Sequence, residues 1–568
     1  MLRKALALLL FAGFAAIPQT QPDRLVVHVL NRLTFGPRPG DVEAVTREGT
    51  DRWIEKQLHP ESIAENPVLE TKLAPLESLQ MSPAEMAQRY PNPRMLKAMT
   101  DGGLVAANPE LRYIVQAFAA RRKKGDDPPA EPVLQVPTEG FADRLAALES
   151  MSAEEQLKAL DQLPENARRK FLDAASPELR RRIQLLSGPS RIPGLDLVDA
   201  KLFRAVYGNR HLEEVLTDFW YNHFNVNLDK NGDRNLVTGY ESDAIRPHVL
   251  GRFQDLLLAT AQSPAMLFYL DNWQSAAADT GKRPRRQGLN ENYGRELMEL
   301  HTLGVDGGYT QNDVTEVARC FTGWTIRRPR QAAAFDFNPR LHDRGEKHVL
   351  GITIPAGGEM SDGLKVIDIL AHHPSTARFI SRSLAIRFVS DDPPESLINK
   401  MAATFKTTDG DLREVMRTLF RSPEFRDPAN FRTKVKSPLE LIASAIRAVN
   451  GEVEYSQTLS DQLRQLGQPL YRKIEPTGYS YTSSEWMNSA SLLARMNFSL
   501  ALVQNKLRGV TVNASTADSD VAQSAESILH ILPSSGTLTA IQAGIDPAKP
   551  SAPQIAGLTL GSPEFQRR

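Results

Sequence analysis

The densest run of side chains able to do chemistry is Asn290-Glu-Asn-Tyr-Gly-Arg-Glu-Leu-Met-Glu-Leu-His-Thr-Leu-Gly304. Its spacing predicts a helix closed by Gly304, followed by a tight turn at Asp306-Gly307-Gly308. On a wheel of about 3.6 residues per turn, Tyr293, Leu297 and Leu300 share an apolar face. Glu296 flanks that face, and His301 lies at its other edge beside Asn290 and Gly294. A carboxylate beside an apolar stripe loses hydration and keeps its charge only if a cation or a hydrogen-bond donor compensates. Glu296 is therefore a candidate general base or metal ligand, and His301 a candidate acid or ligand. Their spacing is not the i, i+4 that aims two side chains of one helix at one ion, so a metal there needs ligands from elsewhere. Glu291, Arg295 and Glu299 follow at i, i+4 on the far side. The three read as a hydrated ion-pair ladder; alternatively Glu291 and Arg295, with Asn290 and Tyr293, form a ligand-binding edge.

Two further clusters could join this one. In Trp220-Tyr-Asn-His-Phe224, His223 continues the stripe of Phe219 and Trp220 by one turn, as a core histidine or as part of a ligand site. Just after it, oxygen-bearing side chains at 227, 229, 231, 233 and 235, with Gly232 in sixth place, imitate the first half of a calcium loop. The twelfth position is Thr238 rather than a bidentate Glu, so a polar turn is the default. Asp229, Asn231 and Asp233 stand as the candidate ligands for a divalent metal, the one cofactor this donor set suggests. The third cluster runs from Phe337 to Lys347. His342 and Asp343 are adjacent, so in an extended segment they point apart. They are read either as a hydrogen-bonded turn or as His342 in acid–base work near neutral pH, with Asp343 and Lys347 contacting a ligand. Beyond them, Arg378 and Arg382 lie one turn apart on a helix that also carries Arg387, as a solvated basic face or an anion site.

The elements that must position these residues are mostly helices. Ser82-Pro-Ala-Glu85 and Ser437-Pro-Leu-Glu440 place Ser at the N-cap, Pro at the first helical position and Glu where it completes a capping box. Ser152 with Glu155 repeats the box, and Ser176, Ser263, Ser422 and Ser562 each precede a proline in the same way. Leu212, Val215, Leu216, Phe219 and Trp220 fall at helical spacing. The best period-2 run is His348–Ile354, expected to form a small hairpin with the segment near Phe335–Phe337. The fold class is therefore mainly α: a large multi-helix domain with at most a small β-hairpin. Its expected parts are an N-terminal helical portion over 22–120, a linker and helical insertion over 121–190, the main core over 191–507 and a closing segment over 508–568.

The chain has 568 residues, 68 Lys+Arg against 68 Asp+Glu, 41% hydrophobic and 24% charged residues, and one cysteine. These fractions exclude a disordered or membrane-embedded bulk. Zero formal net charge removes the footprint of a nucleic-acid binder, and no nucleic-acid partner is expected. Cys320 alone excludes an internal disulfide and, lying among apolar neighbours, reads as structural. Arg3 and Lys4, then the apolar run Ala5–Ala16 and Pro18, form a secretory signal pattern, with residues 1–16 as the signal peptide. The run is shorter than the ~20 residues of a spanning helix. The expectation is export to the periplasm or beyond, with no membrane span after signal removal. No dinucleotide or phosphate-loop glycine motif, His-Glu-x-x-His, nucleophile elbow or Cys pair is present.

Several blocks together resemble the bacterial family catalogued as domain of unknown function 1800. They are His28-Val-Leu-Asn-Arg-Leu-Thr-Phe-Gly-Pro37, Trp220-x-Asn-His-Phe224, Asn290–Val305, Gly308-Tyr-Thr-Gln-Asn-Asp-Val314 and Phe321-Thr-Gly-Trp324. His342-Asp-x-Gly-x-Lys347, Gly467-Gln-Pro-Leu470 and Ser562–Arg568 complete the order. The segment from about Asp126 to Ile192 departs from the pattern as an insertion. The resemblance implies an exported, largely helical bacterial protein of uncharacterised activity, encoded often beside a secreted sulfatase-like protein that is then a partner in the same pathway. It supplies no catalytic residues. Two functions stay open: ligand or partner binding in a polar pocket built from the three clusters, or a hydrolase using Glu296 with His301, His223 or His342.

Overall fold

The computed structural model describes residues 24–106, 108–124, 140–172, 174–230, 232–277, 288–327, 333–513, 520–546 and 551–568. The expected signal segment 1–16, Asn231 and most of the expected linker before residue 140 lie outside the described residues. Helix starts follow the sequence signals. Ser82, Ser152 and Ser437 each accept from the backbone N–H of the Glu three residues on, whose carboxylate accepts from the Ser N–H in return. Ser176, Ser422 and Ser562 cap their helices ahead of a proline. Ser263 also precedes a proline, but its side chain makes no cap hydrogen bond.

The fold is mainly α. Strand pairing among the described residues is limited to three two-stranded antiparallel ladders and two isolated bridges. The expected pairing of the 348–354 run with Phe335–Phe337 is corrected by the structure. Lys347–Val349 folds back on Ile352–Ile354. Leu350 and Gly351 between them have φ of 51° and 78°, the doubly left-handed conformation of a tight two-residue hairpin turn. Ala334–Phe337 pairs instead with Trp324–Arg327.

One large core runs from Val26 to Phe565 and includes Phe219, Trp220, Phe253, Leu297, Trp324, Phe388 and Ile442. At its centre every residue of the Pro438–Ala448 helix is buried, as expected of a helix packed on all sides. A second core joins Leu148, Leu157, Leu160, Leu179 and Ile183 of the helices Phe141–Ser150, Ala153–Asp161 and Pro177–Ser187 to Tyr90, Leu96, Met99, Leu111 and Ile114. Short amphipathic helices cannot each bury a stripe alone, so these three pack on the helices at Pro83–Arg89, Pro93–Thr100 and Pro109–Lys124 that precede them. No described helix is long and apolar enough to cross a membrane.

Candidate functional site

The segment after Asn290 begins as the α-helix Asn292–Glu296 and continues as a π-helical turn, Leu297–Thr302. Thr302 Oγ1 donates to the Leu297 carbonyl oxygen at 2.7 Å. The wider turn rotates later residues off a regular wheel. Met298, His301 and Thr302 are consequently buried with Tyr293 and Leu297, while Leu300 is half-buried. Gly304 ends the helix at φ 82°.

His301 is 1% exposed and neither ring nitrogen has a hydrogen-bond partner. Its ring lies 5.1 Å from that of Phe224 and 6.4 Å from that of His223. His223 Nε2 donates to the His301 carbonyl oxygen at 3.1 Å. Burial lowers His301 to about 3, with His223 adding to it, and lowers His223 to about 4. Both are neutral imidazoles at pH 7. Glu296 is half-buried, and burial followed by the Glu299 carboxylate raises its pKa.

The remaining candidates of this segment tie it to its neighbours. Glu291 accepts from Gln311 Nε2 and Thr315 Oγ1, each at 2.8 Å, and pairs with Arg295 at 3.5 Å. Asn290 Nδ2 donates to the Asp271 carbonyl oxygen at 3.2 Å. Tyr293 packs edge-on against Phe321, 5.1 Å between ring centres. Trp220 is buried, and its Nε1 donates to the Val249 carbonyl oxygen at 3.2 Å.

The Gln311–Cys320 helix that holds Glu291 at one end holds the third cluster at the other. Arg319 grips Asp343 with two hydrogen bonds of 2.9 and 3.1 Å; those bonds hold the Asp343 carboxyl below its usual range. His342 turns inward. Its Nδ1 lies 2.7 Å from the Thr322 carbonyl oxygen and its Nε2 3.1 Å from Asp362 Oδ2, which also accepts from Lys347 Nζ at 2.7 Å. The His342 and Lys347 side chains are fully buried. Cys320 is buried nearby, and burial pushes its thiol up to about 12. The structure thus brings His223 and His301 together, while Glu296 and the His342–Asp362–Lys347 triplet have separate surroundings.

In the calcium-like stretch, Asp229 pairs outward with Arg472 at 2.9 Å and Arg234 at 3.3 Å. Asp233 is fully buried with both carboxyl oxygens unpartnered, and burial raises its pKa well above the usual value. Among the described residues no group of three His, Cys, Asp or Glu side chains is placed to hold one metal ion.

A recess of about 40 Å³ opens beside the Trp220–Phe224 block, room for about three water molecules. Tyr221, Asn222 and Asn225 line it together with Gln468, Leu470, Tyr471, Tyr479, Ser480, Tyr481 and Trp486 of the later chain. Asn225 Nδ2 anchors that chain through the carbonyls of Lys473 and Glu475, at 3.0 and 2.8 Å. Tyr471 sits at φ 61°, a strained conformation of the kind that clusters at functional sites. Its hydroxyl donates to Glu241 at 2.7 Å. Lys201 Nζ donates to Asp218 at 2.9 Å and lies 4.8 Å from the Tyr471 ring centre. Opposite, Glu440 Oε1 pairs with Arg387 at 2.8 Å and Arg568 at 2.9 Å. Burial pushes the Glu440 carboxyl up, but the two arginines outweigh it and hold it at about 2. Such a site offers fixed charges and hydrogen bonds rather than a proton to transfer.

Lining residues therefore come from both the Trp220–Phe224 and the Gly467–Leu470 blocks, far apart in sequence. A family model matches residues 28–567, which include both. The chain belongs to the family of proteins of unknown function DUF1800. No curated protein and no solved structure matches it.

Several groups in this DUF1800 chain escaped sequence reasoning. Arg387 reads there as part of a basic face, and Glu440 as a capping residue only. Lys201, Asp196 and Asp199 carried a usable signal, being, with Arg204, the charges in the otherwise apolar helix Ile192–Tyr207. Asp196 is gripped by Arg181 at 2.8 and 3.1 Å. Asp199 lines a cleft of about 620 Å³ beside the Pro177–Ser187 helix, and burial raises it to about 7.

Proposed function

We propose that this DUF1800 protein is an exported binding protein, and that the recess beside Asn222 seats the polar edge of a monosaccharide-sized ring. Export rests on the Arg3–Pro18 pattern. The observation that carries the ligand class is the lining itself. Tyr221, Tyr471, Tyr479, Tyr481 and Trp486 surround two ion pairs, Lys201–Asp218 and Arg387–Glu440. Aromatic faces take the apolar side of a sugar ring, and fixed polar groups orient its hydroxyls. Tyr479 is half-buried at the mouth with Trp486 behind it, 6.1 Å between ring centres. The recess takes one substituent of such a ring while the rest lies over Tyr479.

Trp486 supplies a readout. Titration of the full chain with glucose, galactose and N-acetylglucosamine is expected to give a saturable fluorescence change with at least one sugar. Ser480→Phe, at the exposed mouth, is expected to abolish it. No change with any sugar, or the same change in the variant, would overturn the reading.

Hydrolysis through Glu296 is the second reading, carried by its half-buried carboxyl with a raised pKa. Aryl-glycoside hydrolysis lost in Glu296→Gln supports it. Equal rates in the two proteins, or none in either, remove it.

A further inference from the structure

Behind one wall of the recess lies an imbalance of buried charge. Arg32, Arg387, Lys434, Lys436, Arg495 and Arg568 are each at most 3% exposed. The carboxylates paired with them among the described residues are Glu440 and Asp391. Backbone carbonyls take up part of the difference: Arg32 donates to that of Asn430 at 2.8 Å, Arg495 to that of Lys436 at 2.9 Å and Arg568 to that of Arg387 at 3.0 Å. Lys436 caps the face of Phe565 at 3.7 Å. Even so, Nη1 of Arg32, Arg387 and Arg568 is buried without a hydrogen-bond partner. Ions removed from water are held when they are paired, and this group is under-paired.

Arg387 is the member of the group that lines the recess. The other polar groups facing it are already engaged. Asp218 is held by Lys201, and Glu440 by Arg387 and Arg568. The first N–H groups of the Pro438–Ala448 helix are taken by its own capping box and by Gln468 Oε1, which accepts from Leu439 N at 2.9 Å. We infer that the recess receives an anionic group of the ligand, a carboxylate, sulfate or phosphate, with the Arg387 guanidinium as its partner and the charge of Arg32, Lys434 and Arg568 behind it. The inference rests on the recess being the ligand seat and narrows its occupant to an acidic one. The electrostatics agree: burial, then Arg568, lowers Lys434 to about 8, and burial, then Arg387, lowers Arg568 to about 10. An added anion relieves both.

Equilibrium dialysis of the full chain against labelled sulfate, phosphate and acetate at fixed ionic strength tests it. At least one anion is expected to saturate at a single site per chain and to raise the melting temperature. Arg387→Lys keeps a charge opposite Glu440 but loses the planar fork, and is expected to weaken that binding about tenfold or more. Ser480→Phe is expected to weaken it likewise while melting as the wild type does without anion, so it decides the question if the arginine variant does not fold. No saturable anion, or binding unchanged by Ser480→Phe, would overturn the inference. Neutral sugars binding where the anions do not leaves the recess standing and removes the acidic group. Anions binding where neutral sugars do not keeps the anion seat and removes the neutral ring.

Discussion

Asn222 and Tyr479 are joined by two hydrogen bonds: Asn222 Nδ2 donates to the Tyr479 carbonyl oxygen at 2.8 Å, and Tyr479 N donates to Asn222 Oδ1 at 2.7 Å. The carboxamide thus mimics a rung of an antiparallel ladder and fastens the mouth of the recess to the His211–His223 helix. Gly478, at φ 69°, allows the approach, because a Cβ there would collide with the Asn222 carbonyl. Asn222→Ala is expected to cost ~1–3 kcal/mol in urea unfolding, since a half-buried backbone pair loses both partners. It should also expose Trp486 to acrylamide quenching. Quenching and stability equal to wild type would contradict this description of the mouth.

The buried triplet His342–Asp362–Lys347 is read as structural. Asp362→Asn leaves the Lys347 ammonium buried beside a neutral amide, with an expected loss of ~3 kcal/mol or more. Sugar-dependent fluorescence of Trp486 should survive at temperatures where the variant is folded. A ligand-binding defect without a stability defect would instead place the triplet at the functional site.

The buried histidines set an acid limit. Unfolded imidazoles take a proton near 6.5, whereas His301 and His223 do so only near 3 and 4 in the fold. Below pH 6.5 the unfolded chain binds protons that the folded chain refuses. Their contribution is therefore complete above 6.5 and is lost as pH falls toward 4 and then 3, by at most ~1.4 kcal/mol per pH unit for each group. His301→Leu removes no hydrogen bond of the ring and should flatten the stability profile between pH 6.5 and 4. An unchanged slope would show that His301 is not buried neutral.

Glu296 has the opposite sign. Its raised pKa means that ionisation opposes folding above the unfolded value of about 4.5, so Glu296→Gln should stabilise the protein at pH 7 and do little at pH 4. The expected gain is ~0.5 kcal/mol, small because water screens a half-exposed group. Glu299→Gln should give less, as Tyr309 Oη already lies 3.4 Å from its carboxylate. Equal effects of the two variants would contradict the asymmetry.

Local chemistry was legible in the sequence and tertiary chemistry was not. The Ser-Pro-x-Glu starts and the Gly304 stop were readable because each is decided within one turn. The π turn at Leu297–Thr302 was hidden, since a helical wheel assumes one pitch, and with it the burial of His301. Leu350 in a left-handed turn carries no turn signature of its own, so the short hairpin reads in sequence as one strand. Arg378, Arg382 and Arg387 look alike in sequence. The first two pair with Glu395 on the next helix, while Arg387 turns inward to Glu440. Glu440 was visible for its cap, which uses Oε2, but not for the ion pairs on Oε1. Which partner a charge meets is set by other segments, from the next helix at Glu395 to Arg568 at the far end of the sequence.

The most direct test of the recess as ligand seat is a crystal of the full chain soaked with glucuronate. Density is expected for one ring over Tyr479, with its carboxylate beside Arg387 and a hydroxyl on Asp218. A recess filled only by ordered water, with the sugar absent or bound in the cleft beside Asp199, would contradict it.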